Sequence, residues 1–173
     1  MKKAVLHIMQ GFIGAGKSTY AKNLALEFGA VHLNPDAWVT ERIPKEEYMR
    51  DWDKYFAAAV EAIWQEAAKH LADGTDVVLD MGFWFRKDRD YAKMIAEKSG
   101  AGFKHYYIYA PDEILKQRIV ASRPPEWAAK HLENFAENKK KFQEPEKDEM
   151  PIVIQNYSTS EYLSLNQRKY CHE

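Results

Sequence analysis

Gly11-Phe12-Ile13-Gly14-Ala15-Gly16-Lys17-Ser18 decides the reading of this chain, because it fits G-x-x-x-x-G-K-[ST] without a mismatch. Glycines at these spacings let the backbone curl so that successive N–H groups point inward at phosphate oxygens. A helix starting directly after the curl adds its positive N-terminal end. Lys17 is expected to bridge the β- and γ-phosphates of ATP, and the Ser18 hydroxyl to ligate Mg²⁺. Gly11, Gly14, Ala15, Gly16, Lys17, Ser18 and Thr19 are therefore the candidate nucleotide-binding residues.

The flanks supply the context that this motif needs. Residues 4–9 form a short apolar run, which reads as a buried parallel strand in which His7 is packed rather than a ligand. After the motif, Tyr20, Leu24, Ala25 and Phe28 recur at helical spacing until Gly29, a natural helix stop. Val31 to Leu33 predicts a second strand, and Asn34-Pro35-Asp36 a turn or helix cap at its carboxyl end. Met49, Trp52, Phe56, Val60, Ile63, Ala67 and Leu71 predict one long amphipathic helix over 46–72, with the aromatic stripe as core. Further strands are expected at 76–81, 103–110 and 151–155, and helices at 87–98 and after Pro111-Asp112. Alternation of this kind predicts an α/β fold, a three-layer sandwich with a parallel five-stranded sheet and helices on both faces. Ligands then belong at the carboxyl ends of the strands.

Composition narrows the function classes. The 173 residues suit one domain, and 25 Lys+Arg against 26 Asp+Glu leave no global field to draw in nucleic acid or an anionic membrane. Cys171 is the lone cysteine, which allows no internal disulfide or Cys-rich metal site and suits a reducing, cytoplasmic setting. The start of the chain is too poor in apolar residues for a signal segment, and no stretch reaches membrane-spanning length, so no membrane partner is expected.

With the cradle and its flanks in place, the chain resembles the P-loop kinases of the adenylate-kinase-like branch. It is similar in layout to 5′-polynucleotide kinases, zeta-toxin-like and chloramphenicol phosphotransferases and gluconate kinases, and more broadly to AAA-type ATP-binding small kinases. The likeness runs from Met1 to about Asn156 and implies the P-loop NTPase sandwich with a helical lid, here about 123–149, within a kinase domain at 1–157. Residues 158–173 remain as a C-terminal extension. Asp36 resembles the aspartate that receives the proton of the attacking hydroxyl, and Asp80, ending the DVVLD run, the carboxylate near the metal. The stretch from Pro111 to Arg123 looks like the lead into the lid, which implies Arg118 near adenine and Arg123 at the phosphates. Polynucleotide kinases have an arginine shortly after their aspartate. Trp38 and Val39 stand there in this chain, with Arg42 the nearest substitute for touching substrate.

Other residues carry weaker expectations. Arg86 and Arg89 follow the Asp80 strand and are candidates for substrate or phosphate, while Lys139 to Lys141 reads as a solvated helix end. Trp38, Trp52, Trp84 and Phe85 are candidates to wall an apolar or sugar-binding cleft. The leading expectation is transfer of the γ-phosphoryl group of ATP, with Mg²⁺, to a hydroxyl of a small molecule. The alternatives are a 5′-hydroxyl kinase of nucleic acid, disfavoured by the absent basic stripe, and a switch that hydrolyses ATP slowly.

Overall fold

In the computed structural model, which describes residues 3–158, the apolar runs become five strands and the periodic stretches between them become helices. The order is β1 (Val5–Gln10), α1 (Lys17–Phe28), β2 (Val31–Leu33), α2 (Pro35–Arg42), α3 (Lys45–Tyr48), α4 (Trp52–Ala72), β3 (Val77–Gly82), α5 (Arg86–Lys98), β4 (Gly102–Tyr109), α6 (Asp112–Ser122), α7 (Pro125–Glu133), α8 (Phe135–Lys141) and β5 (Ile152–Gln155). A 3₁₀ turn at Lys147–Glu149 precedes the last strand. All strand pairings are parallel, in the order β2-β3-β1-β4-β5, so β1 is central and its carboxyl end lies between those of β3 and β4.

Successive β1 side chains point to opposite faces, and each face has its own core. Leu6 and Ile8 join Leu33, Val77 and Leu79 beneath Ile63, Ala67 and Leu71 of α4 and Ala92 and Ala96 of α5. Met9 joins Val78, Tyr106 and Ile108 on the other face, under α1, α6 and the helical lid of α7 and α8. Leu6, Ile8, Met9 and Leu79 are fully buried, and each contributes about 1.5–3 kcal/mol of transfer free energy. His7 is packed, as expected: its ring stacks on Phe28 and Tyr106. The result is the P-loop NTPase sandwich, a parallel five-stranded sheet with helices on both faces. No helix of the described residues is long and apolar enough to cross a membrane.

The helix expected over 46–72 is divided. Asp51 accepts a hydrogen bond from the Lys54 amide at 3.2 Å and so caps a new start at Trp52, which separates α3 from α4. The predicted core stripe holds only beyond that break. Met49 is exposed, Trp52 and Phe56 stack on one another, and the buried α4 positions are Ala59, Ile63, Ala67 and Leu71. Lys139 departs from the solvated run expected of it, pairing with Asp112 at 2.9 Å and lying 5.1 Å from the centre of the Phe12 ring. The extension at 158–173 lies, after Ser158, outside the described residues.

Candidate active site

The loop between β1 and α1 has the backbone that its glycines suggest. Gly14 and Gly16 have φ of 83° and 90°, which a side chain would strain. A Cβ on Gly14 would also stand 2.7 Å from the Leu115 carbonyl oxygen. Gly16 caps α1 without any side-chain bond, and the first turn of the helix carries no acidic residue. The first amides of α1 are thus left for an outside acceptor, which fits a phosphate. Asn156, just past β5, donates to the Ala15 carbonyl at 2.7 Å and braces the loop from the far edge of the sheet.

Lys17 donates to the Phe12 carbonyl at 3.0 Å. Desolvation lowers its ammonium to about pKa 8, with Arg123 adding to the effect and the Asp80 and Asp36 carboxylates opposing it. Two acids and two bases from four separate elements therefore act on one another around the loop. Ser18 and Thr19 are both exposed in the first turn of α1.

Asp80 is buried near the carboxyl end of β3, on the α1 face of the sheet. Burial works against its ionisation, but the nearby His32 and Ser18, the Asn34 hydrogen bond and the Lys17 charge prevail and hold the carboxyl below its ordinary value. Asn34 is the firm contact: its amide donates to Asp80 Oδ2 at 2.9 Å and to the Asp80 carbonyl at 3.0 Å. His32 Nε2 stands off at 3.5 Å. The other end of the Asn34 amide accepts from the Ala37 N–H at 2.8 Å, so Asn34 is the cap of α2. Asp36, in the first turn, is free of that task.

Asp36 is exposed, and it lines a pocket of about 460 Å³ together with Ser18, Asp80, Trp38 and Arg42. Desolvation and then the Asp80 charge raise its pKa, while Arg123 and Lys17 pull it down. Arg42 lies 5.2 Å from the centre of the Trp38 ring. Arg123 ends α6 and is exposed. Arg118 is half-buried on the same helix and already interacts within the protein.

Arg86 and Arg89 stand apart from this group. Arg86 is bound to Asp90 at 2.9 Å and Asp148 at 2.7 Å, and Arg89 to Glu149 at 2.5 Å. Of the aromatic residues expected to wall a cleft, Trp38 lines the polar pocket, Trp84 and Phe85 line a second one, and Trp52 lines neither. Asn34 was readable only as a turn or cap residue, and nothing local marks Asn156 or His32 as neighbours of the site.

The residues fit ATP·Mg²⁺ by their chemistry. The loop amides and Lys17 suit the phosphates, and an exposed hydroxyl beside an ionised carboxylate suits a hard cation that keeps most of its ligands as water and phosphate. Among the described residues no group of three or more His, Cys, Asp or Glu is arranged to hold a metal alone.

A family model described as "AAA domain" matches residues 6–145. A search of curated proteins finds no match. Among solved structures the chain is similar to the protein APE1195, at 22% identity and TM-score 0.64, over 98% of this chain and 95% of that one. It is also similar to a sugar kinase from Janibacter sp. HTCC2649, at 18% identity and TM-score 0.62, covering 98% and 94% of the two chains. A gluconokinase from Sinorhizobium meliloti 1021 matches at 16% identity and TM-score 0.59, covering 100% and 99%. Likeness at such identities speaks for the fold alone.

Proposed function

The chain belongs to the AAA domain family, and we propose that it is an ATP-dependent kinase that passes the γ-phosphoryl group to a hydroxyl of a small molecule. The observation that carries this reading is the mutual action of Lys17, Asp80, Asp36 and Arg123 at the mouth of the phosphate loop. The sugar kinase and gluconokinase of similar fold act on small hydroxylated molecules by name, which agrees with it.

Each residue has a role that its surroundings suit. The amides of Gly14, Ala15 and Gly16 and the Lys17 ammonium hold the phosphates, with Gly11 shaping the loop. Ser18 and Asp80 would hold Mg²⁺, which supplies charge neutralisation at the phosphates when bound. Asp36 takes the hydroxyl proton as the acceptor oxygen bonds to the γ-phosphorus. The bond from that phosphorus to the bridging oxygen breaks, and ADP leaves with the electron pair. A raised pKa makes Asp36 a better proton acceptor than an ordinary carboxylate, and Arg123 adds positive charge where the transferring group gains negative charge. Arg42, in the lining of the pocket beside Asp36, would touch the acceptor, and Arg118 would take the adenine side of the nucleotide.

The test is ADP formation from ATP·Mg²⁺ with and without a panel of hydroxylated acceptors, with the phosphomonoester product identified by mass. Turnover that depends on an acceptor supports the kinase reading. ADP release that no acceptor changes would instead make the protein a slow hydrolytic switch.

A further inference from the structure

A second pocket, of about 290 Å³, lies between α4, the end of β3 and the start of α5. It is walled by Phe56, Val60, Trp64, Phe83, Trp84 and Tyr91, with Met81 and Phe85 completing it, and among the described residues Asp88 is the charged one in its lining. Trp64 meets Phe83 and Tyr91 edge to face, with ring centres 6.2 and 5.0 Å apart, so the walls brace each other.

The backbone is bent to build this pocket. Gly82 and Phe83 have φ of 84° and 45°, and a left-handed conformation at a non-glycine residue is strained and gathers at functional sites. The bend buries Phe83 and brings Trp84 to stack on Phe12 of the phosphate loop, with centres 5.1 Å apart. The point where Gly82 would carry a Cβ is 3.3 Å from Trp84 Nε1 and 3.8 Å from Lys17 Cε. One wall of the aromatic pocket therefore stands beside the phosphate lysine.

The charges around it are sorted. Arg86 and Arg89, two of the three cations within two positions of Asp88, are consumed by Asp90, Asp148 and Glu149. Lys87 sits on the Phe85 ring, 5.6 Å from its centre, and is not in the lining. Among the described residues the Asp88 carboxylate has no hydrogen bond or ion pair. Electron-rich ring faces with one unpaired carboxylate attract an ammonium group and repel an anion.

Resting on the kinase reading above, we propose that the acceptor is an alcohol on an aromatic or similarly flat apolar body that carries an amine, with Asp88 and the rings around Trp64 selecting the cation. The hydroxyl oxygen of this amino alcohol bonds to the γ-phosphorus, the bond to the bridging oxygen breaks, ADP departs with that electron pair, and the hydroxyl proton goes to Asp36. Acceptors with carboxylate or phosphate groups, such as sugar acids and nucleotides, are rejected.

Three benzyl alcohols of one shape test this: para-aminomethyl, para-methyl and para-carboxy, beside gluconate as an anionic polyol. Phosphoryl transfer with ATP·Mg²⁺ should favour the amine over the methyl compound by about tenfold in kcat/KM, a typical gain for a desolvated cation on aromatic faces. The carboxy compound and gluconate should not react. Asp88→Asn should remove the preference for amine over methyl, and Asp88→Lys should turn it toward the carboxy compound. A titration of tryptophan fluorescence without ATP reads binding apart from transfer and should give the same order of affinities. Transfer to gluconate or the carboxy compound with none to the amine overturns the substrate class and leaves the kinase standing. The binding order without any transfer keeps the pocket's selectivity and counts against the kinase. Equal binding of all three benzyl alcohols, or a preference that survives both Asp88 variants, overturns the inference.

Discussion

Replacing Arg89 by Met should destabilise the protein strongly without touching the phosphate loop. The Arg89 side chain is 2% exposed and its partner Glu149 6%, so the pair is shut away from water. Its guanidinium donates to both Glu149 oxygens, at 2.5 and 2.9 Å, and to the carbonyls of Phe83 and Gln143 at 3.1 and 3.2 Å. Removing one member of a buried pair typically costs about 3–5 kcal/mol, because the other charge loses its main partner; Arg86 at 3.6 Å and the Glu146 amide at 2.8 Å still face Glu149 and offset only part of that loss. Met keeps most of the stem, so little of the loss is from packing. At about 3 °C per kcal/mol for a chain of this size, the melting temperature should fall by about 9–15 °C. Circular dichroism melts of the wild type, Arg89→Met, Glu149→Leu and the double variant form the cycle to measure. The double variant should recover part of the loss, since no charge is then left unpaired. Additive losses with no coupling, or a fall of under about 3 °C for Arg89→Met, would refute the argument. The pair also has a pH signature. Burial opposes the Glu149 charge, but hydrogen bonds from Arg89 prevail and hold its carboxyl below the ordinary 4.5. A depressed folded pKa contributes stability that is complete above 4.5 and lost as pH falls through the lowered value. The gap between wild type and Glu149→Leu should therefore shrink on acidification and stay constant near neutrality.

Lys17→Ala should lower phosphoryl transfer by orders of magnitude with a melting temperature close to wild type, because the loop is held by glycines and by Asn156; wild-type ADP formation in this variant would exclude Lys17 from the phosphates. Asp36→Asn should lower kcat by about 10²–10⁴-fold with ATP affinity retained, since Asn keeps the shape but takes no proton. Stability should hold too, because Asn34 and not Asp36 caps α2. Limited proteolysis at Pro124-Pro125, beside Arg123, should slow when ATP·Mg²⁺ and acceptor are both present, and cleavage that ligands leave unchanged would make this end of the lid a static surface.

What could be read from the chain alone follows the range of the interactions concerned. The phosphate loop is local: glycines, lysine and serine stand within eight positions, between a strand and a helix that their own periodicity betrays. Asp36 and Asp80 were legible at one remove, since parallel strands bring their carboxyl ends to one edge whatever their order. Arg86 and Arg89 were not. Locally both read as free to meet a phosphate, but Arg86 pairs with Asp148 as well as its neighbour Asp90, and Arg89 with Glu149, 60 positions away in the 3₁₀ turn before β5. Asn156 braces Ala15 across 141 positions for the same reason. The break at Asp51 was missed because hydrophobic spacing continues through it, and a capping carboxylate outweighs that spacing where the aromatic residues on either side pack on each other instead of the sheet. This division of labour bears on function. The local motif carries the chemistry common to nucleotide-binding folds, whereas the long-range pairs decide which charges remain available at the pocket. By drawing Arg86 and Arg89 toward the turn before β5, the fold leaves Asp88 without an ion pair, among the described residues, beside the rings of Trp64 and Trp84.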